Sequence, residues 1–392
     1  MIAMQAPPPV STQRAHGEFR KIRVMQLSYG HALYGAERWV LMLAKHLDEA
    51  RVETVVACIR DADTLELPLI DEARRLGFKT SVIDGTRRLL WSSVRGLRAA
   101  LKEQRIDVLH THGVRQDFVG LAATVGLHCA TLSTPHGWEV RTALKERVRT
   151  AVNKLCLSGF EAIAPLSEGL LEDLRGYPIS TSKVHLIGNG VDLSEVEGAQ
   201  PASGSPVGGF PEGAFVVGYI GRLVAGKGVD LLLRALAFQK DPSWGCLLIG
   251  EGPEQKALER LAADLDIKSR VAFLGYRPDR LSFLKRFDLF VLPSYSEGTP
   301  RCVMEALAAG VPCAGSAIPG IEKVIHDGVT GDTFPAGDPA RLAEVIATVR
   351  TNREEASRKA AAGRALVYDV YSARAMAQAY EKLFETLVAK RG

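Results

Sequence analysis

From Lys21 onward, short apolar runs alternate with longer stretches in which apolar residues recur every three or four positions. The runs IRVMQL (22–27), VETVVACI (52–59), KTSVI (79–83), DVLH (107–110), CATLS (129–133), EAIAP (161–165) and KVHLI (183–187) predict strands. Between them, 36–47, 68–76, 89–104, 116–125, 141–157 and 168–175 carry helical spacing. Strands separated by helices of this length predict a parallel sheet covered on both faces. The alternation breaks at EGAQPASGSPVGGFPEGA (197–214), whose Gly, Pro, Ala and Ser content marks a domain boundary. It resumes with strands at VVGYI (216–220), GCLLIG (245–250), RVAFLG (270–275), DLFVL (288–292) and VPCAG (311–315). The accompanying helices are predicted at 229–238, 254–265, 279–287, 301–309, 340–349 and 353–367, with a last one at 373–390.

The expected class is therefore α/β, with two Rossmann-like, doubly wound halves whose strand ends face a cleft. A Pro-rich, disordered leader is expected over 1–20, a first domain over 21–196, the linker over 197–214 and a second domain over 215–370. Composition agrees with two domains, since 392 residues, 46% of them apolar, exceed what one core usually supports. A net charge of +4 is too mild to call for nucleic acid. No run reaches the 18 apolar residues of a membrane span, and the first residues lack the apolar core of a signal peptide, so a cytoplasmic protein is expected. The six cysteines are scattered, without metal-ligand spacing, and read as buried thiols.

Candidate chemistry concentrates in the second domain. In EGTPRCVME (297–305) two carboxylates stand eight positions apart, one before a helix and one inside it. Thr299 can cap that helix and Pro300 suits its first position, so its free N–H groups would open beside Glu297. Such a corner can seat a phosphate while the carboxylates accept hydrogen bonds from sugar hydroxyls. Glu297 as a solvated loop residue and Glu305 as an exposed helical one is the competing reading. Upstream, Gly221 to Lys227 has the GxxxxGK spacing of a phosphate loop between a strand and a helix, but Gly228 stands where that motif needs a Ser or Thr hydroxyl for magnesium. Arg222 and Lys227 neutralising a diphosphate directly fits better than a nucleoside triphosphatase.

These segments, with LLIGEGP (247–253), FLGYR (273–277), LPSYSEGTPRCVMEALAAGVP (292–312) and GNGVD (188–192), resemble the retaining glycosyltransferases of family 4, which have the GT-B fold. The resemblance implies that Glu297 contacts the donor sugar and Glu305 the ribose, with Arg222 and Lys227 on the diphosphate. It implies a backbone turn at Gly298, Thr299 and Pro300 beside phosphates and sugar, and places Gly221, Gly250 and Tyr276 near the nucleotide. In LSYGHALYGAERWV it implies a glycine loop in which Tyr34 replaces the first glycine and Gly35 remains. His136, in STPHGWEV, falls where the family carries a His near the donor sugar, and is grouped with Arg222, Lys227 and Glu297 as catalytic. His110 and His112 are read equally as cleft-lining or structural. The closing segment 371–392 is expected to cross back to the first, acceptor-binding domain.

The resemblance further implies transfer with retention, without metal or other cofactor, the nucleotide sugar being a co-substrate. Asp61-Ala-Asp63, a DxD pair, is read as a solvated turn away from the donor site. Acceptors of the family are glycans, lipid-linked sugars or small molecules, and envelope polysaccharide or glycolipid assembly is the expected setting. Arg87, Arg88 and Trp91 lead into a basic helix with Arg95, Arg98 and Lys102, and Arg141, Lys145 and Arg149 mark a second. Both suit peripheral contact with the inner membrane surface, and both equally suit packing on a sheet with cations in water. A nucleotide-sugar epimerase of the same architecture and a non-catalytic sugar-nucleotide-binding protein are the alternatives.

Overall fold

The computed structural model describes residues 20–391, apart from 31–32, 34, 62–65, 86–89, 138–143, 204–206, 212 and 240–242. Tyr34, Asp63, Arg87, Arg88 and Arg141, named above, lie outside the described residues, as does the leader up to residue 19.

Among the described residues, twelve strands form two sheets. The first contains β1 (Ile22–Ser28), β2 (Val52–Asp61), β3 (Lys79–Gly85), β4 (Val108–Thr111), β5 (Ala130–Ser133) and β6 (Ala162–Ile163) in the order β3-β2-β1-β4-β5-β6. The second contains β7 (Phe215–Ile220), β8 (Trp244–Ile249), β9 (Val271–Phe273), β10 (Leu289–Leu292), β11 (Cys313–Ser316) and β12 (Asp332–Phe334) in the order β12-β11-β10-β7-β8-β9. All strand pairs are parallel. Strand order reverses between β1 and β4 in one sheet and between β7 and β10 in the other. In such sheets the crevice beyond the strand carboxyl ends at this reversal is where ligands bind.

The central strands are apolar on both faces, as strands buried between helices must be: β7, β8 and β10 have no exposed residue. Residues 183–187 do not form the expected strand. They make a single bridge, Ile163 to Val184, because β6 at the sheet edge is only two residues long. Among the elements not anticipated are β12 and the short helices Leu193–Gly198 and Pro319–Glu322. Helix Leu193–Gly198 lies at the domain boundary and is capped by Asp192, whose Oδ1 accepts from Ser194 N and Glu195 N.

The last helix, Ala373–Ala389, packs in the core of the first half, where Tyr380, Leu383 and Phe384 join Trp39, Val40 and Leu132. The two basic helices differ. In Leu90–Glu103, Leu97 and Leu101 are buried under the sheet and Arg98 donates to Ala123 O and Val125 O, while Trp91 is exposed. In Leu144–Leu157 the stripe Val148, Val152 and Leu155 is about half exposed instead of packed. No helix among the described residues is long and apolar enough to cross a membrane.

Candidate functional site

The loop after β7 is shaped by its glycines. Gly228 sits at φ +62°, and a Cβ there would lie 2.2 Å from Pro293 O, so the loop is pressed against the segment that follows β10. Gly250, at φ +134°, leaves no room for a Cβ against Gly221 O. Gly221 N donates to Ile249 O, Leu223 N to Glu251 O and Gly250 N to Gly275 O, which locks the loops after β7, β8 and β9 together. Tyr219, buried on β7, donates its hydroxyl to Arg222 O at 2.9 Å and fixes the turn from beneath. The Arg222 side chain is exposed at this turn.

Lys227 and Glu297 meet there. Lys227 Nζ lies 2.5 Å from Glu297 Oε1, and Ser294 Oγ donates to the same oxygen at 2.7 Å. Glu297 is thus neither solvated nor free: a cation and a hydroxyl orient it. The helix behind it begins at Arg301, with Pro300 at the capping position and no side-chain cap, so Thr299 does not cap it and Pro300 precedes its first turn. The physical reason is the extended backbone of Pro300, ψ 112°, which delays the helix by one residue. Gly298 approaches Ser167 from the first half, where an added Cβ would come within 3.0 Å of its Cβ and Oγ.

Glu305 is buried, which corrects the exposed-helix reading. Its Oε1 accepts from Arg280 Nη2 at 2.7 Å and from Arg301 Nε at 2.8 Å, and Oε2 accepts from Arg280 Nε at 3.2 Å. Burial pushes the carboxyl pKa up, but the charges of Arg301 and Arg280 overcome it and hold it below the ordinary value. Three of about four lone-pair positions are therefore filled, and one on Oε2 stays open. Tyr276 is exposed; its N–H donates to Glu251 Oε1, and its hydroxyl accepts from Arg38 Nη2 at 2.7 Å, joining the loop after β9 to the first half. Gly35 opens the helix Gly35–His46 that carries Arg38.

In the first half His136 follows β5 and is half-buried. Its Nε2 lies 3.1 Å from His112 Nδ1, and Trp39 packs edge-on against it at 5.1 Å. His112 Nε2 is 2.8 Å from Gln26 Oε1; His110 Nε2 is 2.8 Å from Thr134 Oγ1, which also meets the Tyr380 hydroxyl. Burial lowers the pKa of all three histidines, that of His136 to about 4. His110 and His112 are buried; His112 bonds His136, His110 packs on the His112 ring, and neither lines an open surface. Asp61 of the DxD pair is buried beside Arg115 at 2.9 Å, so it is an ion-paired residue and not a solvated turn.

Residues 34–195 match the family model described as Glycosyltransferase Family 4, and residues 205–366 match the model described as Glycosyl transferases group 1. The chain is a family 4 glycosyltransferase. The transferase is 25% identical over 297 residues to the O-antigen biosynthesis glycosyltransferase WclY of Escherichia coli, covering 73% of this chain and 82% of that one. It is also 25% identical over 336 residues to the Escherichia coli UDP-Gal:alpha-D-GlcNAc-diphosphoundecaprenol alpha-1,3-galactosyltransferase, covering 81% and 85%. Among solved structures, Anabaena HepE in complex with UDP superposes with a TM-score of 0.78 at 20% identity, covering 93% of this chain and all of that one. The two six-stranded parallel sheets and this likeness give the transferase the GT-B fold.

Sequence reasoning missed Arg280, Ser294 and Gln26. Arg280 follows the turn after β9 with no periodicity to single it out. Gln26 did leave a signal, being the one amide within the apolar run IRVMQL. A polar side chain buried within a strand needs a partner, and His112 is that partner.

Proposed function

We propose that the transferase moves a sugar from a UDP- or GDP-sugar, with retention at the anomeric carbon, to a glycan, lipid-linked or small-molecule acceptor. The observation that carries this reading is the Lys227–Glu297 pair at the reversal between β7 and β10, beside the exposed Arg222. The two cations take the diphosphate, Glu297 a hydroxyl of the donor sugar, Glu305 the ribose and His136 the far side of that sugar. The turn at Gly298, Thr299 and Pro300 passes beside the phosphates, with Gly221, Gly250 and Tyr276 at the nucleotide and Gly35 at the sugar or acceptor. The bond from the anomeric carbon to the diphosphate oxygen breaks, and one to the acceptor oxygen forms on the same face. The acceptor's proton passes to the departing diphosphate. Most of the acceleration then comes from positioning and from charge held ready for the leaving group, with no metal or other cofactor in the scheme.

The names of the relatives support a setting in envelope polysaccharide or glycolipid synthesis. The half-exposed Val148, Val152 and Leu155, with Arg141, Lys145 and Arg149 interleaved in sequence, suit contact with an anionic leaflet. Calorimetry with UDP, GDP and their sugars tests the donor assignment: one nucleotide should bind, and Lys227→Ala should weaken it. Co-sedimentation with anionic vesicles tests the surface contact: replacing Val148, Val152 and Leu155 with Ser should abolish it, and unchanged binding would count against it.

A further inference from the structure

His112 is hydrogen-bonded at both ring nitrogens, to Gln26 Oε1 through Nε2 and to His136 Nε2 through Nδ1. A neutral imidazole has one donor and one acceptor nitrogen, and an amide oxygen can only accept. Gln26 is fully buried on β1 and His112 nearly so just beyond β4, so neither exchanges partners with solvent. With the amide in this orientation, which leaves Gln26 Nε2 without a partner, His112 Nε2 carries the proton and donates to Gln26 Oε1. Its Nδ1 is left as an acceptor, and the donor to it is His136 Nε2–H. Burial holds both rings neutral. Trp39 packs against both rings and limits their rotation.

We infer that Gln26 and His112 are positioning residues that fix His136 in its Nε2–H form, so that His136 Nδ1 offers a lone pair at the cleft. His136 makes no second hydrogen bond among the described residues. In this form it accepts a hydrogen bond from a substrate hydroxyl and cannot act as a cation on the diphosphate. A reversed Gln26 amide would reverse every hydrogen in the chain and turn His136 into a donor. The functional meaning rests on the proposed sugar transfer, in which His136 faces the donor sugar; the tautomer itself does not.

The test is long-range proton–nitrogen NMR on the full chain labelled in its histidine rings, at pH 7.5 without ligand. His136 resonances are assigned by their loss in His136→Gln. The expected result is a protonated Nε2 and an unprotonated Nδ1 at His136, and the same at His112. In Gln26→Met, which keeps the side-chain volume but removes the amide oxygen, His112 and His136 should lose this single form and show averaged nitrogens. A protonated Nδ1 on wild-type His136 overturns the inference, as does a Gln26→Met spectrum with the wild-type pattern. If Gln26→Met does not fold, the wild-type spectrum alone decides. Because no turnover is read, a chain that transfers no sugar would defeat the functional proposal while leaving the tautomer result standing.

Discussion

Lys227 Nζ and Glu297 Oε1 lie 2.5 Å apart although 70 positions separate the residues in sequence. The pair joins the loop after β7 to the loop after β10, the two strands between which sheet order reverses. Glu297→Gln keeps shape and one oxygen but removes the charge that holds Lys227. Turnover should fall roughly 100-fold or more, the scale seen when one oriented charge-stabilising group is lost, while the unfolding midpoint moves little. Steady-state kinetics beside a thermal melt checks this.

Arg280 and Glu305 should dominate local stability. Arg280→Met leaves a buried carboxylate with only Arg301 and is expected to cost about 3 kcal/mol, the scale for breaking a buried pair by removing one partner. Arg75→Met, which removes an exposed partner of Glu72 in a solvent-screened pair, should leave the unfolding midpoint close to that of the wild type. Urea unfolding of the two variants reads the contrast.

The glycines of the loop after β7 make a second contrast. Gly228→Ala forces a left-handed backbone on alanine, about 1–2 kcal/mol by itself, and drives the methyl into Pro293 O. Gly226→Ala meets nothing within 4 Å and should be near neutral. Donor affinity should fall in the first variant and hold in the second, measured by calorimetry.

How much of this could be read in advance differs by element. The long central strands were legible because they are apolar on both faces. β12, Asp332–Phe334, was not, since three residues with one polar end carry no period. KVHLI misled because apolar content predicts burial, and residues 183–187 find only a two-residue strand to pair with. At the site, Arg301 was within reach as the i–4 neighbour of Glu305. Arg280 was not, because a partner 25 positions away is fixed only by the packing of two helices.

Stability should depend on pH through the buried histidines. Burial lowers the pKa of His110, His112 and His136, the last from 6.5 to about 4, so on unfolding each takes up a proton in the interval between its two values. The unfolded state binds more protons there, so their contribution is fully present above about pH 6.5 and is lost as pH falls toward 4. Asp117 runs the other way. Burial raises its pKa to about 6 against hydrogen bonds from Thr111, Asn153 and Ser133, but it is one group against three. The melting midpoint should be lower at pH 5 than at pH 7, and equal midpoints would contradict the burial of the three rings.

The most direct measurement is nucleotide diphosphate release from UDP- and GDP-sugars by wild type, Lys227→Ala and Glu297→Ala, with the anomer of the sugar product followed by NMR. Slow release from one donor, with the donor's anomeric configuration kept in the first-formed product and the activity lost in both variants, is the predicted result. A donor that binds but is only epimerised or left intact, or release that survives both substitutions, would contradict transfer at this site.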